Sequence, residues 1–401
     1  MRFKKYLTIV FFVVMTAVVT SCAQTSPDEY LLTSTYDMYA DEQDDPAVYS
    51  QEYQPEYLPD IEPDVSEKAE YSENNIDEHL CEYLSEYSEI YPEEEQLQSP
   101  FYHIPHGYLS ESFLIYLNDD LPNRVSFSYR EYETALWIVR QLELMGYERE
   151  NIEIQEFTVA AANLSSRARN PLHFFSTGTA ELRNTSQNVI LTIPGQTERK
   201  IIVGAHYDSF YYPAASDNAS GTAVLLESAA RMRYLENYFT IIYIFFGAEE
   251  VGLIGSYYYL YSLTNEEREN IVLMISADCL FDGSVMVYAA AYNAAGQFGA
   301  NALTRQIDEV ANYVIYQNNF ELAASPRGVL IVSDHMPFYN EGFTVLVLFS
   351  ADVVDGRFRM RVFHSYRDCI HYINNRWPGR IQASLHTFSA FLEGVLLMES
   401  D

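Results

Sequence analysis

The sequence is poor in basic residues. It has 24 Lys and Arg against 57 Asp and Glu, which gives a formal net charge of −33 at pH 7 over 401 residues. Proteins that bind nucleic acid neutralise phosphates with a basic face, so this composition argues against a nucleic-acid partner. Apolar residues nevertheless make up 48% of the chain, which is ordinary for globular proteins and excludes a chain that is disordered throughout.

Cysteine is also scarce, and several catalytic motifs are missing. The four cysteines are Cys22, Cys81, Cys279 and Cys369, and no Cys-x-x-Cys pair occurs. The three that follow Cys22 are an odd number, so a disulfide framework is not indicated, and the sequence leaves open which of them pair. The chain has no Gly-x-Ser-x-Gly elbow, no phosphate-binding Gly-x4-Gly-Lys-Ser/Thr loop and no His-Glu-x-x-His, so it offers no support for the enzyme classes that use them.

The first 22 residues have the pattern of a secretory signal. Three basic residues among the first five precede a mostly apolar run at 6–20, which is too short to span ~30 Å of hydrocarbon. The run ends in Val-Thr-Ser-Cys, and this resembles the lipobox of bacterial lipoproteins, in which the cysteine is lipidated. We therefore expect residues 1–22 to be a lipoprotein signal peptide and Cys22 to anchor the protein to a membrane, outside the cytoplasm, in a bacterial cell envelope. A simple signal cleaved near Ala23, or an uncleaved anchor, is the alternative.

Residues 23–100 differ in composition from the rest of the chain. They hold 23 Asp and Glu, a single Lys and ten Tyr, without a sustained helical or strand period. Like charge with few aliphatic side chains cannot bury enough surface to offset the entropy of ordering. We expect an acidic, Tyr-rich disordered tether with a short helix possible at 77–89; binding of a partner or a cation is the alternative function for this segment.

Residues 101–401 have the composition of one large folded domain. Apolar, β-branched runs alternate with stretches of helical period, which favours an α/β fold, a three-layer α/β/α sandwich with a mostly parallel mixed sheet. The predicted strands are 152–159, 188–193, 200–205, 239–246, 271–277, 285–289, 329–332 and 343–349. The predicted helices are 132–146, 219–234, 253–263, 300–311 and 380–397.

Residues that could hold a metal ion follow several of these strands. In a parallel sheet, ligands bind beyond the carboxyl ends of the strands, and the polar clusters of this chain fall at such ends. Two histidines with several carboxylates form a mixed nitrogen and oxygen donor set that suits zinc. Each cluster alone also has an ordinary structural explanation, such as a helix N-cap for Asp217 or a surface turn for the paired glutamates. The residues are His206, Asp208, Asp217, Glu249, Glu250, Asp278 and His364.

The same stretches carry a resemblance to a known family. They read NVILTIPGQTERKIIVGAHYDS, ASDNASGTAVLLESA, FFGAEEVGLIGS, ISAD, SDHMPF and FHSYRD. In order and spacing they resemble the secreted zinc aminopeptidases of the leucyl aminopeptidase type, whose relatives include glutamate carboxypeptidases and glutaminyl cyclases. The resemblance covers about residues 120–395 and implies the zinc-peptidase fold.

The resemblance also implies roles for individual residues. It implies two zinc ions bridged by Asp217, one of them completed by Glu250 and His364 and the other by His206 and Asp278. It implies that Glu249 is the general base and that Asp208 orients the ring of His206. The implied activity is hydrolysis of N-terminal residues from peptide substrates by a metal-activated water.

Some residues depart from the family pattern or have no clear place in it. Cys279 follows Asp278 where a larger apolar residue is expected, and the next residues, Leu-Phe-Asp-Gly at 280–283, are unusual. Cys369 stands where relatives often have Thr. The segment 333–335 is expected to line the pocket or to support the ligands, with His335 as a direct ligand in a minority interpretation.

Two other functions remain open on the sequence. A glutaminyl cyclase would use one zinc ion with similar ligands to transfer an acyl group. A protein of another class, a surface-anchored binding protein without catalysis, would keep the fold and use its tether, and it would be expected to lose ligands that this chain retains.

Overall fold

The computed structural model describes residues 104–399, except 159, 162–181, 211, 295–296, 319–320, 326–330 and 356. All described residues belong to a single compact unit. The predicted signal peptide, Cys22, the acidic tether, its helix at 77–89 and Cys81 lie outside the described residues. The division into segments 1–22, 23–100 and 101–401 therefore stays a prediction.

A mixed sheet forms the centre of the described part of the chain. Its strands lie in the order β1-β2-β4-β3-β5-β9-β6-β7, with β8 on β6 and β10 on β9. The pairs β4–β3, β3–β5 and β5–β9 are parallel, whereas the pairs that flank them are antiparallel. The strands are β1 (Ile152–Thr158), β2 (Thr185–Ile193), β3 (Thr197–His206), β4 (Phe239–Phe246), β5 (Ile271–Ala277), β6 (Val285–Ala294), β7 (Gln297–Gly299), β8 (Leu322–Ala324), β9 (Thr344–Val354) and β10 (Arg357–Arg359).

Helices cover both faces of this sheet. Successive residues of β3 alternate between two cores: Ile201 belongs to the larger core, and Ile202 belongs to a second core on the opposite face. The helices are α1 (Tyr108–Asp119), α2 (Tyr129–Leu144), α3 (Ser220–Met232), α4 (Ile254–Ser262), α5 (Asn265–Glu269), α6 (Ala302–Asn318), α7 (Met336–Asn340), α8 (Ile370–Arg376) and α9 (Arg380–Leu396). Side chains of α1, α2, α3, α6 and α9 pack in the larger core, and those of α4 and α7 pack in the second. The predicted three-layer α/β/α sandwich is confirmed.

The strand register brings the predicted site residues to one edge. His206, the last residue of β3, lies beside Phe246, the last residue of β4. Gly204 lies beside Ser276 of β5, so His206 comes level with Asp278, two residues further along the neighbouring strand. Because β3, β4 and β5 are parallel, their carboxyl ends open into a common site.

Two details of the predicted fold differ from the structure. Ile331 and Val332 form no strand in the structure, and the rest of the predicted strand 329–332 lies outside the described residues. β6 already occupies the edge of β9, and the short strand β8 pairs with the other edge of β6. Helix α1 was not expected, although Phe113, Leu114 and Leu117 are buried with helical spacing.

The described residues bear on two questions left by the sequence, membrane anchoring and disulfide pairing. No helix among them is long and apolar enough to cross a membrane. Cys279 and Cys369 are both free thiols, so they are not paired with each other.

Candidate metal centre

His206 presents one ring nitrogen to the site because the other is held by the following turn. Its Nδ1 lies 3.1 Å from the backbone oxygen of Asp208 and 3.5 Å from the Asp208 carboxylate. The backbone carbonyl of Asp208 is thus the nearer partner of the ring. The ring is 1% exposed, and Nε2 points at the carboxylates of Asp217 and Asp278, at 3.2 and 3.5 Å.

Asp217 stands between two histidines. Its Oδ1 lies 3.2 Å from Nε2 of His206, and its Oδ2 lies 3.3 Å from Nε2 of His364. The residue sits in an irregular turn, Ala215–Ala219, and caps no helix, because the residue before α3 is Ala219. Each oxygen of this carboxylate therefore faces its own histidine.

The paired glutamates follow β4 and reach different parts of the site. Glu250 contacts Nε2 of His364 through its Oε2 at 2.8 Å, and its side chain is 4% exposed. The Glu249 carboxylate has an oxygen that lies within 4.8 Å of donor atoms of both His206 and Asp278. Glu250 also has an oxygen within 4.8 Å of donor atoms of His206 and Asp217, so only its contact with His364 distinguishes it from Glu249.

The chemistry of the donor set fits zinc. Donor atoms around a tetrahedral ion with bonds of ~2.0–2.2 Å lie ~3.3–3.6 Å apart. Of the four distances that join Nε2 of His206 or His364 to a carboxylate oxygen, three are close to this range, at 3.2, 3.5 and 3.3 Å. Nε2 of His206, Oδ1 of Asp278 and Oε1 of Glu250 are buried without a hydrogen bond. Buried polar atoms are nearly always partnered, so these atoms are placed as metal ligands would be.

The electrostatics of the site also favour a cation. Burial raises the pKa of Glu250 to about 7, although the charge of His364 opposes this. Burial likewise raises the pKa of Glu249 well above its ordinary value, against the charge of His206. Burial disfavours the charged form of His364, yet the nearby Glu250 raises its pKa to about 10. Carboxylates crowded in a buried site raise the affinity for any positive charge placed between them.

Asp208 does more than contact His206. Its carboxylate accepts hydrogen bonds from the backbone N–H of Glu249 and of Glu250, at 3.1 and 3.3 Å. It also accepts one from the Ser126 hydroxyl at 2.5 Å. Asp208 therefore fixes the turn that carries both glutamates, a contact that the sequence did not predict.

Other buried residues that support the site were missed by sequence reasoning. Asp368 accepts hydrogen bonds from the backbone N–H of Ser216 and Asp217, at 2.6 and 2.9 Å. Glu131 accepts one from Ala248 N–H at 3.0 Å. Their partners lie 152 and 117 residues away along the chain, and no local pattern signals such pairs.

Arg124 is a buried cation behind the site. It is 0% exposed. Its guanidinium donates to the backbone oxygens of Tyr207, Pro213 and Ala214. It also donates to the backbone oxygens of Leu117 in α1 and Leu121 just after α1. Burial lowers its pKa to about 10, and the nearby Asp368 opposes this. Arg124 therefore holds together the two turns that carry His206 and Asp217.

The remaining candidates lie beside the donor cluster. Cys279 brings its sulfur within 4.8 Å of donor atoms of Asp217 and Asp278, and it is 4% exposed. His335 is fully buried, and burial lowers its pKa to about 3. Among the described residues, the donor groups close enough to share an ion include neither His335 nor His364, although His364 contacts Asp217 and Glu250.

The chain is similar in sequence to several known proteins. The family model described as Peptidase family M28 matches residues 188–389, half of the chain. Aminopeptidase YwaD of Bacillus subtilis is 31% identical over 165 residues, which are 39% of this chain and 34% of that protein. The protein named "Probable lipoprotein aminopeptidase LpqL" of Mycobacterium tuberculosis is 37% identical over 100 residues, 24% of this chain and 20% of the relative. The chain thus spans about a third or less of the length of these curated relatives.

Solved structures with the same fold include two different enzymes. A zinc aminopeptidase from Bacillus subtilis matches with a TM-score of 0.55 and 18% identity, over 72% of this chain and 94% of that one. A glutaminyl cyclase from Fimbriiglobus ruber matches with a TM-score of 0.54 and 16% identity, over 74% and 96%. At these identities the likeness establishes the fold, and the family match gives the assignment: the chain belongs to peptidase family M28.

Proposed function

We propose that the protein is a zinc-dependent aminopeptidase that holds two zinc ions and removes N-terminal residues from peptides. The observation that carries the proposal is Asp217, whose two oxygens lie 3.2 and 3.3 Å from the nitrogens of two different histidines. A carboxylate so placed can give one oxygen to each of two ions, and its charge offsets their mutual repulsion. The family and the named relatives support the same activity.

The remaining ligands divide between the two ions. His206 and Asp278 would complete one ion, and Glu250 and His364 would complete the other. Zinc bound in this way supplies Lewis acidity, which polarises a peptide carbonyl and lowers the pKa of a water molecule. Asp208 holds the ring of His206 and the backbone of both glutamates, so it acts as a positioning residue.

Glu249 is proposed as the general base. Its carboxylate lies within 4.8 Å of donor atoms of His206 and Asp278, which is within the reach of one water molecule. Burial raises its pKa, so it holds a proton more readily than an exposed glutamate does. It would take a proton from the attacking water at its carboxylate oxygen and return that proton to the leaving amine.

The named relatives support a substrate with a free N-terminus, because both are called aminopeptidases. We therefore expect exopeptidase rather than endopeptidase action. The carboxylates of Glu249, Glu250, Asp217 and Asp278 would be balanced by two Zn²⁺ ions, so their charge would not by itself select the α-ammonium group.

An activity panel tests this function. Aminoacyl amides, N-acylated peptides and peptides with N-terminal Gln are each incubated with the full chain, with and without a chelator. We expect hydrolysis of free-amine substrates only, loss of activity with chelator and recovery with added zinc. Ammonia released from N-terminal Gln without hydrolysis would instead indicate a glutaminyl cyclase. No turnover at full zinc loading would favour a surface-anchored binding protein.

The proposed place of action is the bacterial cell envelope, with lipidated Cys22 as the anchor. The Val-Thr-Ser-Cys sequence after an apolar run supports this, as does the lipoprotein name of one relative. Cys22→Ser should block processing or move the protein into the soluble fraction. A variant that partitions into detergent like the wild type would contradict the anchor.

A further inference from the structure

Asp282 is a buried carboxylate that the proposed reaction does not use. It belongs to the unusual Leu-Phe-Asp-Gly segment that follows Asp278 and Cys279, and it is 0% exposed. No basic side chain pairs with Asp282 among the hydrogen bonds and ion pairs described. Its partners are instead backbone groups of one loop, about 80 residues further along the chain.

Three consecutive amides donate to this one carboxylate. The N–H groups of Arg361 and Val362 both donate to Oδ1, the latter at 2.6 Å, and the N–H of Phe363 donates to Oδ2 at 3.0 Å. The next residue in the chain is His364, the proposed ligand. Asp282 therefore fixes the backbone immediately before that histidine.

The segment that carries Asp282 is itself held firmly. The N–H of Asp278 donates to Leu348 O at 2.9 Å, and the N–H of Ser350 donates to Cys279 O at 3.0 Å, so the chain continues alongside β9. A Cβ on Gly283 would come within 2.0 Å of the carbonyl carbon of Ala351. The glycine thus permits close packing on β9 and explains this departure from the family pattern.

The loop that carries His364 also packs through its side chains: Val362 is buried in the larger core, and the ring of His364 stacks on Phe210 with centroids 4.9 Å apart. No helix or strand includes His364; its φ is +55°, and its side chain is 36% exposed. Beyond it, Asp368 binds the amides of Ser216 and Asp217, which ties the far end of the loop to the bridging carboxylate. The loop is therefore held at both ends by carboxylates, Asp282 before the histidine and Asp368 after it.

The geometry points to Asp282 as a positioning residue that holds His364 in place and thereby sets the affinity of the centre for its second zinc ion, the one completed by Glu250 and His364. This inference rests on the proposed two-zinc function. An uncharged amide at position 282 would keep one oxygen acceptor and would turn an N–H₂ group towards backbone N–H donors. At least one donor would then lose its partner, and the loop would shift.

Asp352, in β9, provides a matched control because it contacts the same loop. Its carboxylate accepts from the Nε of the Arg361 side chain at 2.7 Å and from the N–H of Ser284, but not from the amides of residues 361–363. Asp352→Asn makes the same chemical change as Asp282→Asn and leaves those amides bound. If Asp282→Asn weakens zinc binding and Asp352→Asn does not, the cause is the lost hydrogen bonds to these backbone amides and not a general disturbance of the loop.

The test is a calorimetric zinc titration of the metal-free full chain, carried out on the wild type and on both variants. Changes to residues that support metal ligands typically cost 10–100-fold in affinity, so we expect Asp282→Asn to weaken the second zinc by at least about tenfold. The first zinc should change by less than about twofold, and Asp352→Asn should bind both ions like the wild type. Asp282→Glu keeps the charge but moves the carboxylate, so it should weaken the second zinc selectively and serves if Asp282→Asn does not fold.

Each other result counts against the inference. Wild-type affinity for both ions in Asp282→Asn and Asp282→Glu would overturn it, as would equal weakening of both ions, which is the result of a merely structural role. A wild-type chain that binds a single zinc would overturn the two-zinc proposal itself, and the wild-type titration alone reveals that case.

Discussion

Two groups of buried carboxylates meet at the same edge of the sheet, and they differ in what their oxygens contact. The metal-facing carboxylates, Asp217, Glu250 and Asp278, point at histidine nitrogens, and Glu250 and Asp278 each keep an oxygen without a hydrogen bond. The amide-bound carboxylates, Asp208, Asp282 and Asp368, each accept two or three backbone N–H groups.

The difference follows from how a buried negative charge is stabilised. Charge that is removed from water needs either a cation or enough hydrogen-bond donors. Where N–H donors saturate the oxygens, the carboxylate holds a loop in place. Where the oxygens have no N–H donors, the carboxylate retains its affinity for a positive ion. The partners of a buried carboxylate thus indicate its role, and each of the following experiments tests that distinction.

The largest effect is expected for Glu249, the proposed base. Glu249→Gln keeps the size of the side chain and leaves all five proposed zinc ligands intact. General-base catalysis contributes typically ~10²–10⁴-fold, so kcat should fall by at least ~10²-fold while zinc content stays near the wild-type value. Steady-state kinetics measure kcat, and metal analysis of the same preparation measures the zinc content. Full activity in this variant would remove Glu249 from the mechanism.

Glu250→Gln sharpens the contrast between two adjacent residues. It removes an anionic ligand, because a neutral amide oxygen donates more weakly to zinc. We expect zinc content to fall from two ions towards one and activity to drop about tenfold or more, with partial recovery in excess zinc. If this variant retains zinc while Glu249→Gln loses it, the roles of the two glutamates are reversed.

Asp368 tests the amide-bound group. Asp368→Asn leaves an amide of Ser216 or Asp217 without a partner in a site where Asp368 is 1% exposed. The free energy of unfolding should fall by about 1–3 kcal/mol, as measured by urea denaturation, and zinc affinity should fall with it, because Asp217 is the proposed bridge between the ions.

Glu227 is the matched control for that variant. Its buried carboxylate accepts from the N–H of Gly107 and of Ser110, which joins α3 to the start of α1. The carboxylate also pairs with the buried Arg231 at 2.9 Å, so Glu227→Gln should cost at least as much stability and still leave zinc affinity unchanged. An equal loss of zinc in both variants would mean that stability alone controls metal binding.

The smallest effect is expected from removal of the acidic segment, which contributes no carboxylate to either of the two groups. Removal of residues 23–95 behind an intact Cys22 should leave kcat and KM within about twofold of the wild type. The reason is compositional: 23 acidic residues and one Lys are expected to stay solvated and apart from the catalytic domain. Peptidase assays on both forms measure this, and a collapse of activity would show that the segment is part of the enzyme.

The sequence predicted the sheet, the residues that meet at its edge and Asp208 as a support of His206, but not the backbone amides that Asp208, Asp282 and Asp368 bind. The central strands and the placement of His206, the glutamates and Asp278 at their ends follow from apolar runs that end in polar residues, and these patterns are local. Ile331 and Val332, which the predicted strand at 329–332 included, form no strand and show the limit of the same signal, because an apolar run does not reveal whether an edge of the sheet is still available.

The sequence by itself determined where donor atoms collect, since parallel strands bring their carboxyl ends to one edge. Only the tertiary structure decided which oxygen of Asp217 faces which histidine, and which carboxylates bind amides instead. Asp368 and Asp217 are separated by 151 residues, and Asp282 and Phe363 by 81. Hydrogen bonds over such distances depend on how loops from different strands pack together, and no local pattern of residue types encodes that packing.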